Sequence, residues 1–186
     1  MHLKLFTKRC NRTKLKAADI TLIALMVAVI EVSKAVLANI PNVELTSFWI
    51  ILFTLYFGSR IFYAIPVFIL IEGAMYGFGL WWVMYLYAWP LLAAFTHALS
   101  RADSPLLWAV VSGAFGLCFG LLCAVPYFFI GFISGGAMQG LRQMFAWWVA
   151  GIPFDLIHGA SNFAIMLALY RPISDLLRRM PQIVSR

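Results

Sequence analysis

Groups able to do chemistry are densest in the segment "GIPFDLIHGASNF", residues 151–163. Asp155, His158 and Asn162 are spaced i, i+3 and i+7, which places them on one face of a helix. An aspartate that holds a histidine can act as a general-base pair, but no nucleophile with a recognisable motif accompanies it. The same face could hydrogen-bond to another helix or line a ligand cavity. The spacing leaves these three interpretations open.

Three further ionisable residues lie within apolar runs, where such groups are expensive and by default mark function. Glu31 and Lys34 are three residues apart and can pair on one helix face. Glu72 lies in "LIEGAMYGFG" with no basic residue near it in sequence. We expect it to be protonated, hydrogen-bonded to a neighbouring helix, or facing a water-filled cavity.

Aromatic side chains are concentrated in "YGFGLWWVMYLYAWP", residues 76–90. Tyr85 and Trp89 share a helix face, and two tryptophans precede them by one turn. A belt at the membrane interface explains this cluster as well as a pocket wall for a large ring system does. In the pocket interpretation, the aromatic contacts are Tyr76, Trp81, Trp82, Tyr85, Trp89 and Trp148.

The elements that must position these groups are membrane helices. The chain is 63% hydrophobic and only 11% charged, with a mean hydropathy of +0.91, which predicts an all-α integral membrane protein. Its apolar runs match helices that cross a hydrocarbon core of about 30 Å. Six transmembrane helices are predicted, at 17–39, 46–59, 61–78, 81–99, 104–131 and 142–170.

Basic residues set the predicted orientation. With six helices, twelve of the fourteen Lys and Arg fall on the face that holds both termini, which the positive-inside rule makes cytoplasmic. We therefore expect a basic tail over 1–16, a transmembrane domain over 17–172 and a second cytoplasmic tail over 173–186. The first apolar run is too long for a signal peptide and is expected to be retained. The net charge of +7 is explained by topology and anionic lipid, without nucleic acid.

The predicted outer loops carry glycines, aromatics and few charges. In "ANIPNVELTSF", residues 38–48, Pro41 should end the first helix and hold Asn42 and Glu44 at the membrane face. The fifth loop is expected over "GFISGGAMQGLRQMF", residues 131–145, with Arg142 as its charge. The three cysteines suggest neither a disulfide framework nor a metal site.

Taken together, the sequence resembles the substrate-binding S component of an energy-coupling factor (ECF) vitamin transporter. The resemblance covers about residues 17–172. It is carried by Ala24 and Ala28 in "LIALMVAVIE", by the loop "LANIPNVELTSF", by the glycine-rich aromatic third loop and by "FDLIHGASNF". The two alanines form a ridge of small residues that allows close helix packing.

This resemblance implies a protein of the prokaryotic plasma membrane without enzymatic activity, cofactor or metal. It would capture a vitamin from outside, and its first, third and fifth outer loops would close over the ligand. The ridge at Ala24 and Ala28 would dock on a transmembrane coupling subunit that works with two cytoplasmic ATPases. The whole protein would topple in the bilayer to release the ligand inside. No Walker sequence is present, so the energy must come from a partner.

Cobalamin or its precursor cobinamide is the favoured substrate, because the chain most resembles the cobalamin-type S component. Folate, pantothenate, thiamine and riboflavin precursors remain open. The polar residues expected to contact the ligand are Asn42, Glu44, Arg142, Asp155, His158 and Asn162. Two rival interpretations are a small intramembrane enzyme that uses Asp155 and His158, or Glu72, and a scaffold protein without a ligand.

Overall fold

The computed structural model describes residues 15–179 and contains only helices and their connections over that range. The all-α prediction is confirmed, although most of the predicted tail over 1–16 and residues 180–186 lie outside the described residues. A short 3-10 turn, Gly58–Arg60, joins the second and third helices. The α-helices are α1 (Ala17–Leu37), α2 (Thr46–Phe57), α3 (Ile61–Tyr76), α4 (Leu80–Ala98) and α5 (Pro105–Arg179).

The long helix α5 is broken at a pair of glycines into two arms. Gly136 has φ 76°, a left-handed conformation that glycine adopts without steric cost. Residues 105–134 form the first arm and residues 137–179 the second. The arms run antiparallel, since the Tyr127 and Trp147 rings stack at 4.0 Å and Gly120 lies against Asp155. Together they form a helical hairpin.

The prediction of a fifth loop over residues 131–145 is wrong. Residues 131–145 are helical except at the glycine pair, and Arg142 lies exposed on the second arm. The glycines that suggested a loop serve another purpose, because a Cβ on Gly131 would lie 2.8 Å from the Cα of Gly140. They allow the two arms to approach closely next to the turn.

The last helix also extends further than predicted. It continues past residue 170 and past Pro172 to Arg179. Ile173 and Leu177 pack against the hydrophobic core, and Arg178 donates to both carboxylate oxygens of Asp103 at 3.0 and 2.8 Å. These contacts hold the extra turns against the rest of the bundle.

Successive helices alternate in direction. At one end of α1, Asp19 accepts a hydrogen bond from Arg60 at 2.7 Å, and towards the other end Lys34 pairs with Glu72. Therefore α1 and α3 run parallel, and α2 runs in the opposite direction to both. The Trp82 indole of α4 donates to the carbonyl of Ile69, while α4 ends near the start of α3. We call the end that holds Arg60 and loop 99–104 the terminal end, and the end that holds residues 38–45 the loop end.

Both ends of the described chain lie at the terminal end. Arg60 bonds to Asp19 near the start of α1, and Arg178 near the end of α5 donates to the Tyr56 hydroxyl at 3.2 Å. Tyr56 lies in the last turn of α2, and Arg60 lies in the 3-10 turn that follows it. An even number of alternating helical segments produces this arrangement.

Apolar side chains lie both inside the bundle and on its surface. Ile30, Phe48 and Trp108 are fully buried, whereas large residues such as Val36 and Ile133 are 73% and 86% exposed. Three described stretches are long and apolar enough to cross a membrane: Ala17–Leu37, Thr46–Tyr76 and Pro105–Arg179. These helices are compatible with a membrane location. Taken singly, α2 and α3 have only 12 and 16 residues, fewer than the roughly 20 that a helix needs to span.

Replacing Gly116 tests the packing of the hairpin. In Gly116→Ala the new Cβ would lie 2.9 Å from the Cα and the backbone nitrogen of Gly159, so the arms must separate. Thermal unfolding in detergent should show a loss of about 1–3 kcal/mol in unfolding free energy. Gly151→Ala is the matched control, since its Cβ meets nothing within 4 Å. Equal stability of the two variants would contradict the close packing.

Candidate functional site

The loop between α1 and α2 is a tight turn at the loop end of the bundle. The Ile40 amide bonds to the Leu37 carbonyl at 2.9 Å and the Val43 amide to the Ile40 carbonyl at 3.3 Å. Asn42 has φ 59°, a left-handed conformation that asparagine tolerates better than most residues. The chain therefore reverses direction at Pro41 and Asn42, and α2 begins at Thr46.

Glu44 satisfies the first turn of α2. One carboxylate oxygen accepts the Ser47 amide hydrogen at 2.9 Å, and the other accepts the Ser47 hydroxyl at 2.5 Å. Amide groups in the first turn of a helix have no partner within the helix, and the helix dipole favours a negative charge there. Glu44 is therefore held in one orientation by the start of α2.

The second arm of α5 binds this loop and the first turn of α2 through three side chains. His158 Nε2 lies 3.1 Å from Glu44 Oε1, and the Asn162 amide donates to the Ser47 hydroxyl at 3.2 Å. The Ser161 hydroxyl donates to the Asn42 carbonyl at 3.1 Å. We call this set the polar latch: Asn42, Glu44, Ser47, His158, Ser161 and Asn162. It joins the two polar regions that the sequence analysis singled out, the first loop and the last helix.

The charge of Glu44 is stabilised within the latch. Partial burial by itself raises the pKa of this carboxyl, and its side chain is 18% exposed. The hydrogen bond and charge of His158, followed by the two bonds from Ser47, act in the opposite direction and prevail. The pKa of Glu44 is therefore below its ordinary value, and the carboxylate form accepts all three contacts.

Asp155 is not part of the latch. Its Oδ1 accepts the Gly120 amide hydrogen at 2.9 Å, while its Oδ2 is buried without a hydrogen-bond partner. The carboxylate beside His158 is that of Glu44, although the helix spacing suggested Asp155. Moreover, Ser47 donates to Glu44 and not to the imidazole, so these groups do not form the relay of a serine hydrolase.

The aromatic residues of α4 lead towards the latch. Tyr85 contacts Trp81 and Trp89 edge to face, with ring centroids 5.3 and 5.2 Å apart. Trp89 then packs on Phe119 at 5.5 Å, and Phe119 on the His158 ring at 5.0 Å. We call Trp81, Tyr85, Trp89 and Phe119 the aromatic column. It runs from the start of α4 to the latch histidine.

The other predicted aromatic and basic contacts lie elsewhere. Trp82 packs against Phe78, and Tyr76 is 59% exposed at the end of α3. Trp148 packs against Phe145, on the same arm as Arg142. A surface groove of about 500 Å³ lies on the hairpin beside Tyr127, Gln143 and Trp147. Trp148 and Arg142 thus lie on the hairpin and not among the residues of the latch.

Sequence reasoning missed three residues of the latch and column: Ser47, Ser161 and Phe119. Ser47 carried a usable signal, because a carboxylate three residues before a helix amide is a common way to cap a helix. Ser161 and Phe119 carried none, since their roles depend on which helices are neighbours.

A second polar cluster lies between α1 and α3. Lys34 forms its ion pair with Glu72 and not with Glu31, its neighbour on the helix. Its ammonium lies 5.1 to 5.8 Å from the ring centroids of Phe68, Tyr76 and Tyr85. Of the three states expected for Glu72, the structure shows contact with a neighbouring helix.

Comparison with models of known families, with curated proteins and with solved structures found no match.

The pKa of Glu44 predicts how the latch responds to acid. A carboxyl with a lowered pKa stabilises the folded state above its ordinary value of 4.5, and this contribution is lost as the pH falls through the native pKa. At pH 7, Glu44→Gln should lower the unfolding free energy by about 1–3 kcal/mol. The difference from the unmodified protein should persist to pH 5 and shrink below pH 4.5.

Thermal unfolding between pH 7 and pH 3 measures this difference. Asp175→Asn is the control, because that side chain is 62% exposed and its loss should cost less than about 0.5 kcal/mol. A Glu44→Gln effect that stayed constant down to pH 3 would show that the carboxylate charge does not stabilise the loop.

Proposed function

We propose that the protein is the substrate-binding subunit of an ECF-type vitamin transporter in the plasma membrane of a prokaryote. The observation that carries this proposal is the polar latch, which fastens loop 38–45 to the last helix through Glu44 and His158. The loop lies at the end of the bundle opposite to both described chain ends. A short loop held over polar helix residues is the arrangement expected of a closed binding site.

The proposed topology has six spans, with both termini in the cytoplasm. The hairpin in α5 and the alternating α1 to α4 supply six antiparallel segments. Arg60, Arg101 and Arg178 belong to the terminal end, and positive residues favour the cytoplasmic side. The short α2 and α3 can be accommodated by local thinning of the bilayer. The loop end then faces outwards, where a vitamin is captured.

The latch has the strength required of a gate. Each of its hydrogen bonds contributes only about 0.5–1.5 kcal/mol net, and those to charged groups somewhat more. A ligand that offers its own donors and acceptors can replace them without leaving buried groups unpaired. Once the loop moves away, His158 and Ser161 lose their loop partners and can bind the polar parts of a ligand beside Asn162.

The substrate class follows from the sequence resemblance, which favours a corrinoid. The aromatic column supplies broad apolar faces beside the latch, and a corrin ring offers an apolar face with a rim of amide groups. Aromatic side chains can cover the face while latch residues bond to the rim. Another vitamin remains the alternative within the same function.

The proposed partners are a transmembrane coupling subunit and two cytoplasmic ATPases. Ala24 and Ala28 are exposed on α1, while Met26 and Val27 on the other side of the helix are buried. Small exposed residues at this spacing let another helix approach closely within a bilayer. The exposed face of α1 that carries Ala24 and Ala28 is therefore suited to docking a helix of the coupling subunit.

Calorimetry on the purified protein tests the ligand. Cobalamin and cobinamide should bind with affinities within about tenfold of each other, because both carry the corrin ring. His158→Ala and Asn162→Ala should each weaken binding roughly ten- to a hundredfold, since a partner group is left unpaired. Asp175→Asn, at the terminal end, should bind as the unmodified protein does.

The outcome distinguishes an error in the proposed substrate from an error in the proposed function. If another vitamin binds tightly and neither corrinoid binds, the proposed substrate is wrong and the proposed transport function stands. Failure to bind any of these vitamins, with no coloured or other ligand copurified from vitamin-rich cells, would overturn the proposed function.

The docking ridge is tested by Ala24→Trp combined with Ala28→Trp. The two indoles should block close helix approach, so that the protein no longer copurifies with the coupling subunit and ATPases while it still binds ligand. The matched control is Val83→Trp with Leu86→Trp, which enlarges two exposed positions on α4. Loss of assembly in the control as well, or its retention in the ridge variant, would contradict docking through α1.

A further inference from the structure

The cluster between α1 and α3 contains two carboxyl groups and one ammonium. Lys34 bonds to Glu72 Oε2, and the Glu72 side chain is 1% exposed. Glu31 lies one turn before Lys34 on α1, and its carboxyl group interacts electrostatically with Glu72. The remaining oxygens, Glu31 Oε1 and Glu72 Oε1, are both buried without a partner.

Charge balance identifies what is missing from this cluster. With both carboxyl groups ionised, two anions would face one ammonium in a low-dielectric site, leaving a net negative charge. Two carboxylates in contact cannot both ionise without a large penalty, so one keeps its proton. A single proton makes the cluster neutral and joins the two carboxyl groups by a hydrogen bond.

Among the described residues 15–179, Lys34 is the one cation that forms an ion pair with either carboxyl group. Three aromatic rings lie beside the Lys34 ammonium, and the Tyr85 hydroxyl is 3.4 Å from it. Tyr85 in turn interacts electrostatically with Glu44 and Cys123. The adjoining helix α2 carries no Asp, Glu, Lys, Arg or His.

A metal ion is a poorer occupant than a proton. Within residues 15–179, no group of three or more His, Cys, Asp or Glu side chains could hold a metal ion. Two carboxyl groups beside an ammonium supply too few oxygens for Ca²⁺, which takes 6–8. The ammonium would also repel a metal cation.

We propose that Glu31 and Glu72 bind one proton between them and form a proton-binding site inside the bundle. The proton comes from solvent, is carried by the Glu31 carboxyl and is hydrogen-bonded to the Glu72 carboxylate, which also accepts from Lys34. Lys34 sets the occupancy of the site: one proton while its ammonium is present, two when that charge is removed. This inference is independent of the proposed transport function.

Infrared spectroscopy of the purified protein at neutral pH measures the proton directly. A protonated carboxyl gives a carbonyl stretching band that shifts in D₂O, and the unmodified protein should show it. Glu31→Gln should remove the part of the band that comes from this pair, because the remaining carboxyl group of the pair, Glu72, is ionised and paired with Lys34. Glu72→Gln should remove it as well, since Glu31 then becomes the partner of the ammonium. Lys34→Met should increase the band about twofold, because both carboxyl groups are then protonated.

Asp155→Asn is the control, because Asp155 is the other carboxyl with a buried oxygen that lacks a partner. Any part of the band that this variant removes belongs to Asp155. The part assigned to the Glu31 and Glu72 pair must survive in Asp155→Asn. Glu31→Gln keeps the shape and polarity of the side chain, so it tests the site even where Lys34→Met fails to fold.

Two results would overturn the inference. One is a protein with no protonated carboxyl at neutral pH beyond the Asp155 contribution. The other is a band that Glu31→Gln leaves unchanged. Since the measurement needs neither ligand nor partner subunits, its failure is distinguishable from a failure of the transport proposal.

Discussion

Backbone contact between the two arms of α5 determines where the second arm lies. A Cβ on Gly116 would meet the backbone of Gly159, so only glycine at these positions lets the arms come so close. His158 precedes Gly159 directly and therefore reaches Glu44 only from this register. A wider separation would move His158 and Asn162 away from the first loop together. The latch depends on a packing contact that contains no polar side chain.

Three acidic residues of the bundle have a partner on another helix or on the other arm of α5. Glu44 bonds to His158, Lys34 to Glu72, and Asp155 to the Gly120 amide. In an apolar interior each of these groups would be costly to leave unpaired, so every pairing restricts which helices can be neighbours. The few ionisable residues of this chain thus contribute to the specificity of the fold as well as to its sites.

The sequence was sufficient for the starts of all five helices and for the face that carries His158 and Asn162. The length of an apolar run and the residues that cap a helix are local signals, and they are sufficient to predict these features. The stretch 131–145 was misread because glycines that pack helices closely have the same composition as a loop. The direction of Asp155 and the partner of Lys34 depended on which helix lies opposite, and no local pattern contains that information.

The separation of the latch residues along the chain has a consequence for biosynthesis. Glu44 is synthesised 114 residues before its partner His158. During most of translation, α1 to α4 must be held by pairs closer in sequence, such as Lys34 with Glu72 and Arg60 with Asp19, which are 38 and 41 residues apart. The first loop acquires its partners on the last helix only after the C-terminal hairpin has been synthesised. Closure of the loop is therefore one of the last steps in the assembly of the nascent chain, and a ribosome stalled before residue 158 leaves it open.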